Sequence, residues 1–293
     1  MKDYIIMTDS NSELPLEIVK KYNVPFVRMP YYLDGEEYYY DLGENTDIQD
    51  FFRRMRAGSV PTTTTYPPQH YIDLFEPYLQ EGKDILFIAF SSRLSNAFEF
   101  VTAAAESVRE RYPGRRVELV DTKSISGGMA LLVYKALLLQ EQGKTIDEVK
   151  KWVEDNIQRA NEYFSVSDLI YLKRGGRISA SVAAVGTMLN VKPILILSSH
   201  GTIVSIEKAK GRKKSIKALA EYAIQRAEDP GKNPCIIMHG DCEEDALWLK
   251  SLIEEQIHFN EYFIQQLGPV IGTHAGPDTL GVCFFGKVRV DAQ

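Results

Sequence analysis

Cysteine is scarce: Cys235, Cys242 and Cys283 are the only three in 293 residues, and no two form a close pair. An odd, widely spaced set excludes a disulfide-stapled scaffold and reads as reduced thiols in a cytoplasmic protein. It also excludes a zinc knuckle, which needs two close pairs, and no metal site is expected. Positive charge is in deficit, with 34 Lys and Arg against 40 Asp and Glu and a net charge of −6. A nucleic-acid binder needs the opposite balance, because its phosphate contacts are made by an excess of Lys and Arg. Long apolar runs are absent. The longest, Met129 to Leu139, is interrupted by Lys135 and falls short of the roughly 20 residues that cross a bilayer. Met1-Lys2-Asp3 leads straight into a strand pattern, so no secretory signal is expected. No repeat or low-complexity segment occurs. What remains, 44% hydrophobic and 25% charged, is ordinary globular composition with length enough for two domains.

Ile85 to Phe90 is a short apolar run of the kind that forms a strand covered on both faces. It leads into Ser91, Ser92, Ser95 and Asn96, with Asn96 placed to cap a helix whose apolar face is Phe98, Val101 and Ala105. A helix start rich in hydroxyls offers donors and the positive end of a dipole, which suits an anion or carboxylate as well as a plain cap. The same rhythm of strand, polar turn and helix occurs at residues 4–22, with Thr8-Asp9-Ser10-Asn11-Ser12 as the turn. It recurs at 117–142, where Thr122 to Gly128 precedes a helix that is apolar nearly all round and hence buried. Three such units predict a mainly parallel α/β sheet. Ligands gather at the carboxyl ends of its strands. Asp9, Ser10, Ser91, Ser92, Ser95 and Ser124 are expected around one crevice, beside the extended loop Val60 to Pro68 with its run Thr62 to Thr65.

Val24 to Tyr32 and Glu37 to Tyr40 read as further strands about an Asp34-Gly35 turn. Asp47 to Met55, Gln69 to Gln80 and Ile146 to Ala160 read as helices. Beyond residue 160 the texture changes. Strands are expected at Tyr163 to Val166, Ile194 to Ser198, Ile203 to Lys208, Cys235 to His239, Tyr262 to Gln266 and Leu280 to Val290. Helices are expected at Ala180 to Leu189, Lys214 to Ala227 and Glu243 to Ile257. The prediction is an α/β protein of two domains: residues 1–160 mainly parallel α/β, residues 161–293 α+β.

Three other stretches could carry chemistry. Leu172-Lys173-Arg174-Gly175-Gly176-Arg177-Ile178-Ser179 sets three cations around two glycines, and Lys208 to Lys214 is a second basic turn. Each could be simply a solvated turn. Ile271 to Gly281 frames His274 with glycines and a proline, reading as an irregular loop around one imidazole, which can donate to a carboxylate. On residues alone several functions stay open. One is an acid-binding site. Another is a serine hydrolase using Ser95 or Ser92 with His274 and Asp9 or Asp121, although no G-x-S-x-G elbow is present. A third is a phosphate or sugar-phosphate module built on the same helix starts.

Taken together, these motifs resemble the DegV family of fatty-acid-binding proteins, over nearly the whole chain. The resemblance rests on Thr8-Asp9-Ser10, Thr63-Thr64-Thr65, Ser91-Ser92-Arg93-Leu94-Ser95 and Asp121-Thr122-Lys123-Ser124. It continues through the LKRGGRIS segment, Val191-Lys192-Pro193-Ile194-Leu195, Lys210 to Lys214 and the IGTHAGPDTLG loop. The chain departs from the family at Thr64-Thr65-Tyr66-Pro67 and at Asn96-Ala97-Phe98. The resemblance implies a fatty acid held between two domains, its carboxylate bound by Thr63 and Ser95 with His274 as a third group. Ser92, Asn96, Arg177 and Arg212 are expected nearby as ligand or partner contacts. It further implies a fatty acid kinase as partner, which phosphorylates the bound carboxylate, so the chain carries a substrate and is not itself the enzyme. No cofactor other than the fatty acid is expected.

The chemistry fits such a ligand. A buried carboxylate must be hydrogen-bonded or neutralised, and hydroxyls and an imidazole do so while leaving the acyl group open to reaction. The tail needs an apolar tunnel, for which Phe98, Met129, Met188 and Leu189 are candidates. Burying roughly 14 methylenes gains at most about 11 kcal/mol. A membrane offers nearly the same gain, so such a carrier can load and unload through transient contact with a bilayer.

Overall fold

The computed structural model describes residues 3–178 and 190–290. The chain opens with β1 (Tyr4–Asp9), a 3-10 turn (Ser10–Ser12) and α1 (Leu16–Tyr22). β2 (Phe26–Val27), β3 (Pro30–Leu33) and β4 (Glu36–Tyr39) follow. The single strand expected over Val24 to Tyr32 is thus two strands in two sheets. The first ladder ends with Val27 opposite Asp9, the last residue of β1, and Pro30 opens β3, which pairs with β4. Asp34 (φ 52°) and Gly35 (φ 90°) form the tight hairpin turn between them.

Next come α2 (Ile48–Arg56), β5 (Thr62–Thr63), α3 (Pro68–Gln80), β6 (Asp84–Ala89), α4 (Ala97–Arg111), β7 (Val117–Asp121), α5 (Ser126–Glu141) and α6 (Ile146–Asn156). Asp47 caps α2, and Thr145 with Glu148 forms a capping box on α6. The helix expected to reach Ala160 stops at Asn156. Ala160 already opens β8 (Ala160–Ser165), which is followed by α7 (Ile170–Arg174). The remaining elements are β9 (Val191–Leu197), β10 (Ile203–Lys210), α8 (Arg212–Arg226), β11 (Pro234–His239), α9 (Glu243–Glu254), β12 (Glu261–Gln266), α10 (Pro269–Ala275) and β13 (Leu280–Phe285). The helix expected over residues 180–189 lies outside the described residues.

The first sheet is parallel, in the order β2-β1-β6-β7. A second sheet of six strands, β10-β9-β8-β13-β11-β12, is antiparallel except for the β11–β12 pair. A small antiparallel sheet, β4-β3-β5, takes in part of the threonine-rich loop. The expected α/β class is what is found, here as a parallel sheet and a separate mixed sheet. The apolar α5 is explained by its position. It packs on β1 from one side and on β8, β11 and β13 from the other, so Met129 to Val133 have no solvent face. One hydrophobic core runs through this shared layer, and a second fills the far face of the six-stranded sheet beneath α8 and α9. Gly127 and Gly128 permit the close seat, since a Cβ on Gly128 would overlap the Glu162 carboxylate. Among the described residues no helix is long and apolar enough to cross a membrane.

Candidate ligand site

In the order β2-β1-β6-β7 the chain reverses direction of growth between β1 and β6, and ligands are expected beyond the carboxyl ends at such a switch point. A cavity lies there. It holds about 970 Å³ of atom-free space, a figure that takes in the solvent at its open mouth. Asn11 beyond β1, Phe90, Leu94 and Ser95 beyond β6, and Ile125 and Ser126 beyond β7 form one wall. The facing wall comes from the six-stranded sheet and from α7 and α10, with Phe164, Leu172, Ile203, Met238, Val270 and Ile271 prominent. The lining is mainly apolar, which suits a hydrocarbon chain far better than a sugar phosphate.

The polar end is built by three elements remote in sequence. β5 pairs with β3 and holds Thr63 opposite Tyr31. His274 occupies the last turn of α10, where Pro269 starts the helix and Gly276 (φ 81°) ends it. The expected irregular loop around the histidine is therefore a short helix, whose Gly272 also lets it pack closely against Phe51 and Phe52. Thr63 Oγ1 and His274 Nε2 are 2.8 Å apart. His274 Nδ1 is buried against Gly175 and has no partner among the described residues. An orphan N–H costs more than an orphan lone pair, so the proton belongs on Nε2. Nε2–H then donates to Thr63, and the threonine hydroxyl is free to donate into the cavity. Burial, reinforced by the nearby Arg177 guanidinium, pushes the His274 pKa down to about 4 and keeps the ring neutral.

Ser95 is set in a similar way. Its Oγ accepts from Ala97 N at 3.2 Å, leaving its hydrogen for another acceptor. The capping expected of Asn96 is made by Ser95 instead, for Asn96 makes no side-chain cap bond. Arg177 lines the cavity and is anchored by donating to the Leu94 carbonyl at 3.1 Å and to the Gly175 carbonyl. Ser92 and Asn96 lie one step out, in a cleft that shares Thr63, Ser95 and Arg177 with the cavity.

Other expected residues fall elsewhere. Arg212 does not line either space. Its guanidinium is held by Asp245 Oδ2 at 2.7 Å, the Asp278 carbonyl at 2.7 Å and Cys242 Sγ at 3.2 Å. Ser10 accepts from Met29 N, Ser91 donates to the Gly201 carbonyl, and Ser124 accepts from Arg289. These hydroxyls knit the loops together. Asp9 accepts from Asn11 N and Asp121 pairs with Lys123, so neither orients His274 as a triad would require. Phe98 and Met129 pack in the core away from the cavity, and Met188 and Leu189 lie outside the described residues. The apolar lining comes instead from strand and short-helix residues. Glu162 was not foreseen. It lines the cavity, and burial raises its pKa to about 7 despite Arg289 at 3.6 Å. It stands just ahead of the strand expected at Tyr163 to Val166, where a lone acidic residue carries no signal, and the structure takes it into β8.

A family model described as "Uncharacterised protein, DegV family" matches residues 4–287. The chain belongs to the DegV family. A DegV domain-containing protein of Clostridium perfringens is 37% identical over 289 residues, 99% of each chain. The fold agrees with the crystal structure of a DegV lipid-binding protein of Thermotoga maritima at 28% identity and a TM-score of 0.85, covering 99% of this chain and 100% of that one. A DegV family protein of Thermus thermophilus, described by its fatty acid binding, is 29% identical with a TM-score of 0.84, covering 97% and 99%.

Within this DegV site Gly175 has a distinct part. It sits in helical backbone that alanine tolerates, but an added Cβ would overlap His274 Nδ1. Gly175→Ala is expected to push the imidazole off Thr63 and weaken ligand binding about tenfold, the worth of one hydrogen bond. The melting temperature of the ligand-free protein should fall only slightly. Calorimetric titration beside thermal unfolding checks both.

Proposed function

We propose that this chain binds a long-chain fatty acid, with the carboxylate at Thr63 and Ser95, the threonine hydroxyl oriented by His274, and the tail in the apolar cavity, and presents it to a fatty acid kinase. The observation that carries the reading is the Thr63–His274 hydrogen bond at the polar end of a mainly apolar cavity. Two hydroxyls with free hydrogens and a nearby guanidinium suit an anionic oxygen pair. The family relatives described as lipid- or fatty-acid-binding support the same ligand class. Among the described residues no tight arginine fork grips the head group, since Arg177 is committed to the Leu94 and Gly175 carbonyls, so the acid is held without being hidden. That favours hand-over to a kinase forming an acyl phosphate, with the chain acting as carrier in the cytoplasm and exchanging its acid at a bilayer. Arg177, Ser92 and Asn96 border the cleft through which such a partner would reach the carboxylate. Arg212, held in its own network, is not assigned a part in it.

The test begins with delipidated protein. Palmitic or oleic acid at a hundredfold excess over its Kd should stabilise the fold by about 2.7 kcal/mol, and glucose 6-phosphate should not. Mass spectrometry of lipid co-purified from a heterologous host should find a fatty acid. With a fatty acid kinase, acyl phosphate should form only from loaded protein. Absence of stabilisation by any long-chain acid, or Ser95-dependent hydrolysis of an ester, would overturn the proposal.

A further inference from the structure

One wall of the cavity is not wholly apolar. Asn11 and Ser126 both line it, and they are only 4% and 6% exposed. Asn11 Oδ1 and Ser126 Oγ find no hydrogen-bond partner among the described residues. They belong together: the turn Ser10–Ser12 packs against α5, whose first residue is Ser126. Beside them the Glu162 carboxyl accepts from Ile125 N at 3.3 Å. Buried polar atoms are nearly always paired, and an unpaired acceptor and hydroxyl in a hydrocarbon tunnel work against a plain alkyl chain.

We infer that this buried polar pair is a second recognition point, and that the chain takes a long-chain fatty acid carrying a hydroxyl on its tail. The ligand hydroxyl would donate to Asn11 Oδ1 and accept from Ser126 Oγ–H, so that all three groups gain partners together. Its place along the chain is bounded. Thr63 and Ser95 border the outer cleft as well as the cavity, whereas Asn11 and Ser126 line the cavity alone. The inference places the hydroxyl on the tail, beyond the carbons next to the carboxylate, so 2- and 3-hydroxy acids should gain nothing from the pair. The inference rests on the fatty-acid reading above and adds the substituent.

The experiment is a calorimetric titration of delipidated full-length protein with octadecanoic acid and with its 3-, 10- and 12-hydroxy derivatives. Binding of the 10- or 12-hydroxy acid about tenfold tighter than the plain acid, with no gain for the 3-hydroxy acid, is the expected result. Asn11→Leu and Ser126→Ala should each bring that ratio towards one, the leucine by tightening the plain acid as well as weakening the hydroxy acid. Two substitutions are used because Asn11 also supports the Asp9 turn, and loss of one fold leaves the other readout. If the plain acid binds as tightly as every hydroxy acid, or the ratio survives both substitutions, the inference is overturned and the polar pair holds only water. If no acid binds at all, it is the fatty-acid reading itself that fails.

Discussion

Thr63→Val combined with Ser95→Ala is expected to lower the affinity for a long-chain fatty acid by about 10²–10⁴-fold. Each substitution removes a hydroxyl donor to an ionised oxygen, and such bonds are worth about 1.5–3 kcal/mol apiece. The tail's contacts survive, so binding is weakened and not abolished. Both variants should fold. Valine matches the shape of threonine on β5, and the loss at Ser95 is one capping bond to Ala97 N. His274 adds a sharper test, since it reaches the ligand only by orienting the Thr63 hydroxyl. In a double-mutant cycle, His274→Ala should therefore cost much less in the Thr63→Val background than in the native one. Competition against a fluorescent fatty acid measures every corner of the cycle. Full additivity, or a loss under threefold for the Thr63/Ser95 pair, would place the carboxylate elsewhere.

Much of this site is legible in the pattern of residues alone. Strand, polar turn and helix repeated three times fixed the parallel sheet, and the rule for strand ends then pointed to the right edge of it. At that edge, though, composition could not separate a hydroxyl that faces a ligand from one that ties two loops together. Ser91, Ser10 and Ser124 are of the second sort, because each meets a backbone or arginine partner brought in by tertiary packing. Asn11 and Ser126 are left lining the cavity for the complementary reason, with no such partner among the described residues. The tail lining was misplaced by a similar ambiguity. Met129 belongs to a helix apolar on every side, and such a pattern says that a helix is buried without saying which side meets a cavity. Arg212 followed from its glycine-flanked turn, but Asp245 and the Asp278 carbonyl claim its guanidinium once the loops come together.

Glu13→Gln is expected to remove a large part of the protein's loss of stability in alkali. Glu13 is buried just beyond the first turn after β1, in left-handed backbone with φ 52°. Its carboxyl accepts from Gly268 N at 3.0 Å and from the Tyr40 hydroxyl at 3.3 Å. It thereby ties the carboxyl edge of the parallel sheet to the start of α10, the helix that carries His274. Burial outweighs these two donors and raises the pKa from 4.5 to about 8. A folded-state pKa above the unfolded one means that the native state holds the proton more tightly. The stabilisation is complete below about pH 4.5 and is lost as pH rises through about 8. Over that window the single group costs about 4–5 kcal/mol. Asp9 and Glu162, each raised to about 7, add losses of the same sign, and His274, lowered to about 4, acts in the opposite sense between its folded and unfolded values. All three remain in the variant and cancel in the difference. Glutamine keeps an oxygen for Gly268 N and never ionises. Urea unfolding of ligand-free protein should find the two forms within about 1 kcal/mol at pH 5 and the glutamine form several kcal/mol more stable at pH 9. A difference that does not change with pH would mean that Glu13 enters the fold already ionised, and that Gly268 N and Tyr40 offset the cost of burying its charge.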